Sequence, residues 1–136
     1  MKNSKLPFQI GKQYENWEFD LEPTEKERIL GLDSYIYIKE LVFLGIIPRY
    51  TELIFSLDIL KVVIFTIDFK TKKQLEFFKR LLDMQFGKSN QFYIKKLPIE
   101  RVELAKSIEL WLVNLQDSNR VEISYGNTNY LRDIYE

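Results

Sequence analysis

Tyr50-Thr51-Glu52-Leu53-Ile54-Phe55-Ser56-Leu57 and Leu60-Lys61-Val62-Val63-Ile64-Phe65-Thr66-Ile67-Asp68-Phe69 are two runs rich in β-branched and aromatic residues, joined around Asp58. Their spacing predicts a β-hairpin. In the second run Val62, Ile64 and Thr66 oppose Val63, Phe65 and Ile67, and both sets are mostly apolar. A strand apolar on both sides belongs in the middle of a sheet, with something packed over it. The next segment supplies that cover. Lys72 to Phe86 reads as a helix, because Thr71 and Gln74 have capping-box spacing and Gly87 sits where a left-handed C-cap belongs. Leu75, Phe78, Leu82 and Phe86 recur at helical spacing, with charged residues on the opposite side.

The remaining segments are placed outward from this unit. Ser34 to Leu44 reads as a strand on its β-branched and aromatic content, and Gly45 and Pro48 punctuate the chain beyond it. Asn16 to Glu22 alternates, with Trp17, Phe19 and Leu21 on one face and Glu18, Asp20 and Glu22 on the other, the pattern of a half-buried strand with an acidic outer row. Ile108 to Leu115 and Arg120 to Tyr125 predict a second hairpin across Gln116 to Asn119. Within it, Val121, Ile123 and Tyr125 alternate with Glu122 and Ser124, which implies one wet face. A turn at Gly126 to Asn129 leads to a last strand, Tyr130 to Tyr135. The fold expected is α+β: an antiparallel β-sheet of about five to seven strands, covered on one face by one main helix at about 72–86. A second short helix is admissible near 98–106, with Ile99 and Val102 inward. The other face of the sheet is expected to be partly open.

Composition bounds what such a domain can do. The chain has 136 residues, the size of a single domain spanning 1–136, with residues 1–6 expected as a flexible start. It contains no histidine and no cysteine, which excludes Ser-His-Asp and Cys-His catalysis, thiolate metal sites and disulfides. Its five glycines are too dispersed for a phosphate-cradling loop. No cofactor and no enzymatic activity are therefore expected. No apolar run approaches the length of a membrane span and no signal-like segment opens the chain, so no membrane association and a cytoplasmic location are expected.

Formal net charge is zero, which argues against nucleic acid as a partner. The distribution is uneven, since both ends lean acidic and residues 47–106 lean basic. Lys88, Lys95, Lys96 and Arg101 join the helix lysines in a cluster that resembles a phosphate-binding stripe. Glu76 with Arg80 and Lys79 with Asp83 have instead the four-residue spacing of a solubilised helix face. The acidic run Glu15, Glu18, Asp20 and Glu22, beside Tyr14 and Trp17, has no supporting loop for metal or acid–base chemistry. It does fit a surface for a basic protein partner, with acids steering association and aromatics supplying affinity. The candidate partner-binding residues are therefore Tyr14, Glu15, Trp17, Glu18, Asp20 and Glu22.

One ordering of motifs carries a resemblance. Phe43-Leu44-Gly45 is followed by Glu52-Leu53-Ile54-Phe55 with Asp58 and Leu60, then Val62 to Phe65, then a helix ending Phe86-Gly87-Lys88, then Trp111 and Val121 to Tyr125. The opening Ile10-Gly11-Lys12 to Glu22 adds to it. This order resembles small bacterial α+β domains frequent among immunity proteins of toxin–immunity systems. The resemblance implies a protein that binds and neutralises a cognate toxin. A monomer or homodimer is expected, because an edge strand such as Tyr130 to Tyr135 can pair between chains. The alternative is a small-molecule or peptide-binding module using the open sheet face, in a cavity beside Tyr35, Tyr37, Trp111 and Tyr125.

Overall fold

The computed structural model describes residues 6–115 and 119–136. Most of the expected flexible start, and the turn residues Gln116 to Ser118, lie outside the described residues. The elements in chain order are strands β1 (Leu21–Pro23), β2 (Asp33–Tyr37), β3 (Tyr50–Ser56) and β4 (Ile59–Asp68), then helix α1 (Lys72–Phe86). Strands β5 (Asn90–Ile94), β6 (Leu97–Ala105), β7 (Ile108–Asn114) and β8 (Arg120–Asn127) come next, and helix α2 (Thr128–Tyr135) ends the chain.

The strands form one eight-stranded antiparallel sheet in the order β1-β2-β3-β4-β8-β7-β6-β5. Two four-stranded meanders, β1–β4 and β5–β8, are thus joined edge to edge where β4 pairs with β8, Val63 opposite Tyr125 and Phe65 opposite Ile123. The class is the α+β antiparallel sheet expected, with eight strands rather than five to seven. Helix α1 connects the central strand β4 to the far edge strand β5. Its 15 residues span about 22 Å, and four strand spacings cover about 19 Å. Its length therefore suits a diagonal crossing of the second meander.

Half of the predicted capping box forms: the Gln74 backbone N–H donates to Thr71 Oγ1 at 3.1 Å, while Gln74 Oε1 accepts at 2.8 Å from the Lys70 N–H rather than from that of Thr71. Gly87 follows the helix at φ +103° and ψ 166°, not in the left-handed helical conformation expected, and its N–H donates to the Asp83 carbonyl. Phe78, Leu82 and Phe86 are buried against Leu53, Phe55, Val63, Phe65, Leu112, Val121, Ile123 and Tyr125. A Leu82→Ala change there removes packed methyl groups and costs about 2–5 kcal/mol.

The opposite face is also covered, by α2. Leu131 and Tyr135 are buried against Ile54, Val62, Ile64, Ile99, Trp111 and Val113. Tyr130 to Tyr135 is therefore helix and not a final strand. Asn127 accepts a hydrogen bond from the Asn129 N–H as N-cap, and Leu131 and Tyr135 stand four apart on one helix face. The region near 98–106 lies in strand β6 rather than in a helix. Ile99 is buried in one core and Val102 in the other, so a spacing of three reports two covered sheet faces. The expected wet side of β8 is buried too, with Glu122 7 % and Ser124 0 % exposed. Strand β2 stops at Tyr37, and residues 38–49 form a loop in which Leu44-Gly45 turns back, bridging Phe43 to Ile46. Gly126 lies within β8, against Lys61 and Val62 of β4.

Candidate functional site: an acidic projection beside the sheet edge

The segment 14–22 is not the alternating strand expected. Two 3-10 turns, Tyr14–Asn16 and Glu18–Asp20, precede the short β1. The turns are anchored by the adjacent hairpin: the Gly11 N–H donates to the Leu60 carbonyl at 2.9 Å and the Tyr14 N–H to the Asp58 carbonyl at 2.7 Å. In a 3-10 turn residues three apart share a side. Tyr14 and Trp17 accordingly turn inward together, their rings 5.5 and 6.1 Å from Phe55, and Trp17 also meets Phe8 edge-on at 5.7 Å. Tyr14 packs against Tyr35 at 5.2 Å, and the Tyr35 phenol is raised above its ordinary range by burial first, then by Tyr14 and nearby carboxylates.

The same geometry throws Phe19 outward, 88 % exposed, where strand alternation would have buried it beside Trp17. Glu15, Glu18 and Glu22, all within four positions of it in the chain, are exposed as well. Asp20 is half-buried. Its carbonyl accepts from the Ile38 N–H at 2.9 Å and its carboxylate lies 3.6 Å from Lys39 Nζ. Of the six residues the sequence singles out, Tyr14 and Trp17 are thus inward supports. Glu15, Glu18 and Glu22 are outward acids, and Asp20 ties the segment to the next loop. Phe19, missed because a period of two places it inside, is the exposed apolar centre. The three-residue step from Tyr14 to Trp17 is the signal that could have found it.

Beyond the Asp20–Ile38 bond the surface continues as apolar side chains. Ile38, Ile47 and Tyr50 are each about half-exposed and line a shallow hollow of about 250 Å³ together with Lys39, Glu40 and Arg49.

The loop between β1 and β2 carries a second arrangement that sequence reasoning missed. Arg28 reaches over the sheet and makes two bidentate pairs: Nε and Nη2 with Glu52 at 3.1 and 2.8 Å, Nη1 and Nη2 with Glu122 at 3.2 and 2.7 Å. Tyr135 Oη donates to Glu122 Oε1 at 2.7 Å and lies 2.6 Å from Ser124 Oγ. Burial alone would lower the Arg28 pKa. Hydrogen bonds and charge from both carboxylates outweigh it and hold the guanidinium more firmly protonated than usual. Burial first, then the charge of Glu122, raises the Tyr135 phenol well above its ordinary range. The carboxylates are engaged from several sides, so the cluster works as a lock for the 24–32 loop and α2. Only the acidic interruption of an apolar strand at Glu122 hints at it in the sequence.

The aromatics named for a ligand cavity do not gather. Tyr125 and Trp111 are fully buried in separate cores on opposite faces of the sheet, and Tyr35 and Tyr37 pack on the Tyr125 side. No group of side chains that would hold a metal ion occurs among the described residues, and no helix among them is long and apolar enough to cross a membrane. Compared with known proteins, the chain has no significant match among family models, curated sequences or solved structures.

Proposed function

We propose that this chain is a non-enzymatic protein-binding domain that contacts its partner through the projection at 14–22. The observation that carries the proposal is Phe19, a large apolar side chain held 88 % exposed on an anchored turn among Glu15, Glu18 and Glu22. An aromatic ring presented on a rigid support loses little conformational freedom on binding and suits the centre of an interface. The acids around it favour association with a basic surface. Following the resemblance drawn from the motif order, the partner is a toxin whose active site the domain occludes. A cytoplasmic protein acting as monomer or homodimer fits that role.

The test is co-expression with the toxin encoded beside this gene, together with binding measured on purified proteins. The full chain is expected to rescue growth. Burying Phe19 is worth roughly 1.5–3 kcal/mol, so Phe19→Ala should weaken binding roughly 10- to 100-fold. Because the ring is exposed, folding stability should shift by no more than about 0.5 kcal/mol. Reversal of Glu15, Glu18 and Glu22 to Lys should slow association most at low salt. Growth no better than with an empty vector would sink the toxin reading, and unchanged affinity in both variants would place the interface elsewhere.

A further inference from the structure

An open sheet has two edges, and this one treats them differently. Strand β1 is three residues long and ends in Pro23, which has no N–H to offer an added strand. Strand β5 is five residues, Asn90-Gln91-Phe92-Tyr93-Ile94, with neither proline nor charge. Among the described residues it pairs with β6 alone, on one side. The connection is the two-residue turn Lys95-Lys96, both left-handed at φ +49° and +70°, between the paired Ile94 and Leu97. Positive φ at both positions defines a type I′ hairpin, whose closing pair is hydrogen-bonded. Parity then directs Asn90, Phe92 and Ile94 into the β6 ladder, and the N–H and C=O of Gln91 and Tyr93 toward the open edge. The Tyr93 side chain is 63 % exposed.

Charge selects what fits there. Lys88 precedes the strand and Lys95 and Lys96 come after it. Over Phe92 stand two guanidinium groups, Arg101 at 4.8 Å and Arg132 at 5.7 Å from the ring centroid. The nearby carboxylate Glu100 faces the other side, where Lys79 Nζ holds it at 3.0 Å. Pairing with a second copy about a two-fold axis would set Lys88 of one strand against the lysine turn of the other, a like-charge contact. Lys88 at one end of the strand and Lys95 at the other place positive charge at both ends. We propose that the β5 edge adds a ninth strand: an extended segment of a partner protein, uncharged at its centre and acidic at both ends. Backbone pairing at Gln91 and Tyr93 supplies the attachment and the flanking lysines supply the selection. This surface lies at the sheet edge opposite β1 and the Phe19 projection, so the two work independently.

The experiment titrates the capped peptide Asp-Glu-Thr-Val-Thr-Val-Thr-Glu-Asp into the isotope-labelled full chain and tracks amide shifts and hydrogen exchange. The Gln91 and Tyr93 amides are expected to shift and to gain exchange protection. Replacing the four acids of the peptide by lysines should weaken binding by about tenfold or more at low salt. N-methylation of the peptide's valines should abolish the protection. Lys88→Glu with Lys95→Glu in the protein should reverse the charge preference. Unperturbed Gln91 and Tyr93 at millimolar peptide would overturn the proposal, as would equal binding of the N-methylated peptide. So would stronger perturbation of the same amides by an oligothymidylate, or concentration-dependent protection without peptide, which would mean self-pairing.

Discussion

Replacing Arg28 by Met keeps an apolar stem and removes the guanidinium, with its charge and its four hydrogen bonds to Glu52 and Glu122. Glu52 and Glu122, whose side chains are 12 % and 9 % exposed, are then left facing each other. A single Nη2 bridges them at 2.8 and 2.7 Å, so their nearest oxygens are at most roughly 5.5 Å apart. At an effective dielectric constant of about 20, two like charges at that distance repel by about 3 kcal/mol. Removing one partner of a buried ion pair costs about 3–5 kcal/mol in general, and Arg28 is itself partly exposed, so the lower end applies. Urea unfolding monitored by Trp111 and Trp17 fluorescence should therefore show a midpoint lowered by about 1.5 M, for a slope near 2 kcal/mol/M.

Adding Glu122→Gln to Arg28→Met removes the repulsion and should restore more than half of the stability, a coupling that a double-mutant cycle isolates. A deficit below about 1 kcal/mol would refute the reasoning by showing that water already screens the pair.

Other consequences are open to measurement. A Cβ at Gly126 would land on the Lys61 carbonyl oxygen of the neighbouring strand and within 2.9 Å of Val62 Cα. Gly126→Ala should therefore cost about 3 kcal/mol or more, read as a lowered melting temperature or loss of soluble protein, and a wild-type melting curve would show that β4 and β8 can part. Tyr125 and Tyr135 are both buried with phenols raised above the ordinary value, by burial first in each case. A raised acid is stabilising while neutral, so this contribution is fully present below pH about 10 and is lost as the unfolded chain ionises above it. Each tyrosine should contribute a slope of about 1.4 kcal/mol per pH unit there, and Tyr125→Phe should halve the combined alkaline slope. The same change removes the bonds of the Tyr125 hydroxyl to the Phe8 N–H and C=O, at 3.1 and 2.8 Å, and should raise hydrogen exchange in the segment around Phe8. An unchanged alkaline slope would count against the burial argument.

Local chemistry is enough for the centre of the molecule. The bounds of α1 and the β3–β4 hairpin can be read from cap residues and apolar periodicity, because both signals act within a few residues of themselves. The antiparallel α+β class rests on the same signals. The second turn of the candidate surface is different. Glu18 and Glu22 are exposed acids on either view, but Phe19 belongs inside a strand and outside a 3-10 turn. Which of the two forms depends on Phe55 and the Asp58 carbonyl, residues nearly forty positions away.

Leu97 to Ala105 and Tyr130 to Tyr135 show the same division. Ile99 and Val102 look helical by spacing, yet they serve two cores because both faces of this sheet are covered. In the last segment, the Asn127 cap and the four-residue step from Leu131 to Tyr135 are legible, but the preceding Gly-Asn pair outweighs them as a turn signal.

Composition and residues close together in the chain suffice for the α+β class, the central hairpin, the capped helix and the exclusion of histidine and cysteine chemistry. They do not assign a face to each ambiguous residue. That assignment waits on the assembled sheet, which turns Phe19 outward, draws Glu122 inward beneath Arg28, and leaves Gln91 and Tyr93 along an open edge. A side chain's environment is set by segments that arrive from elsewhere in the chain, and no local pattern carries their position.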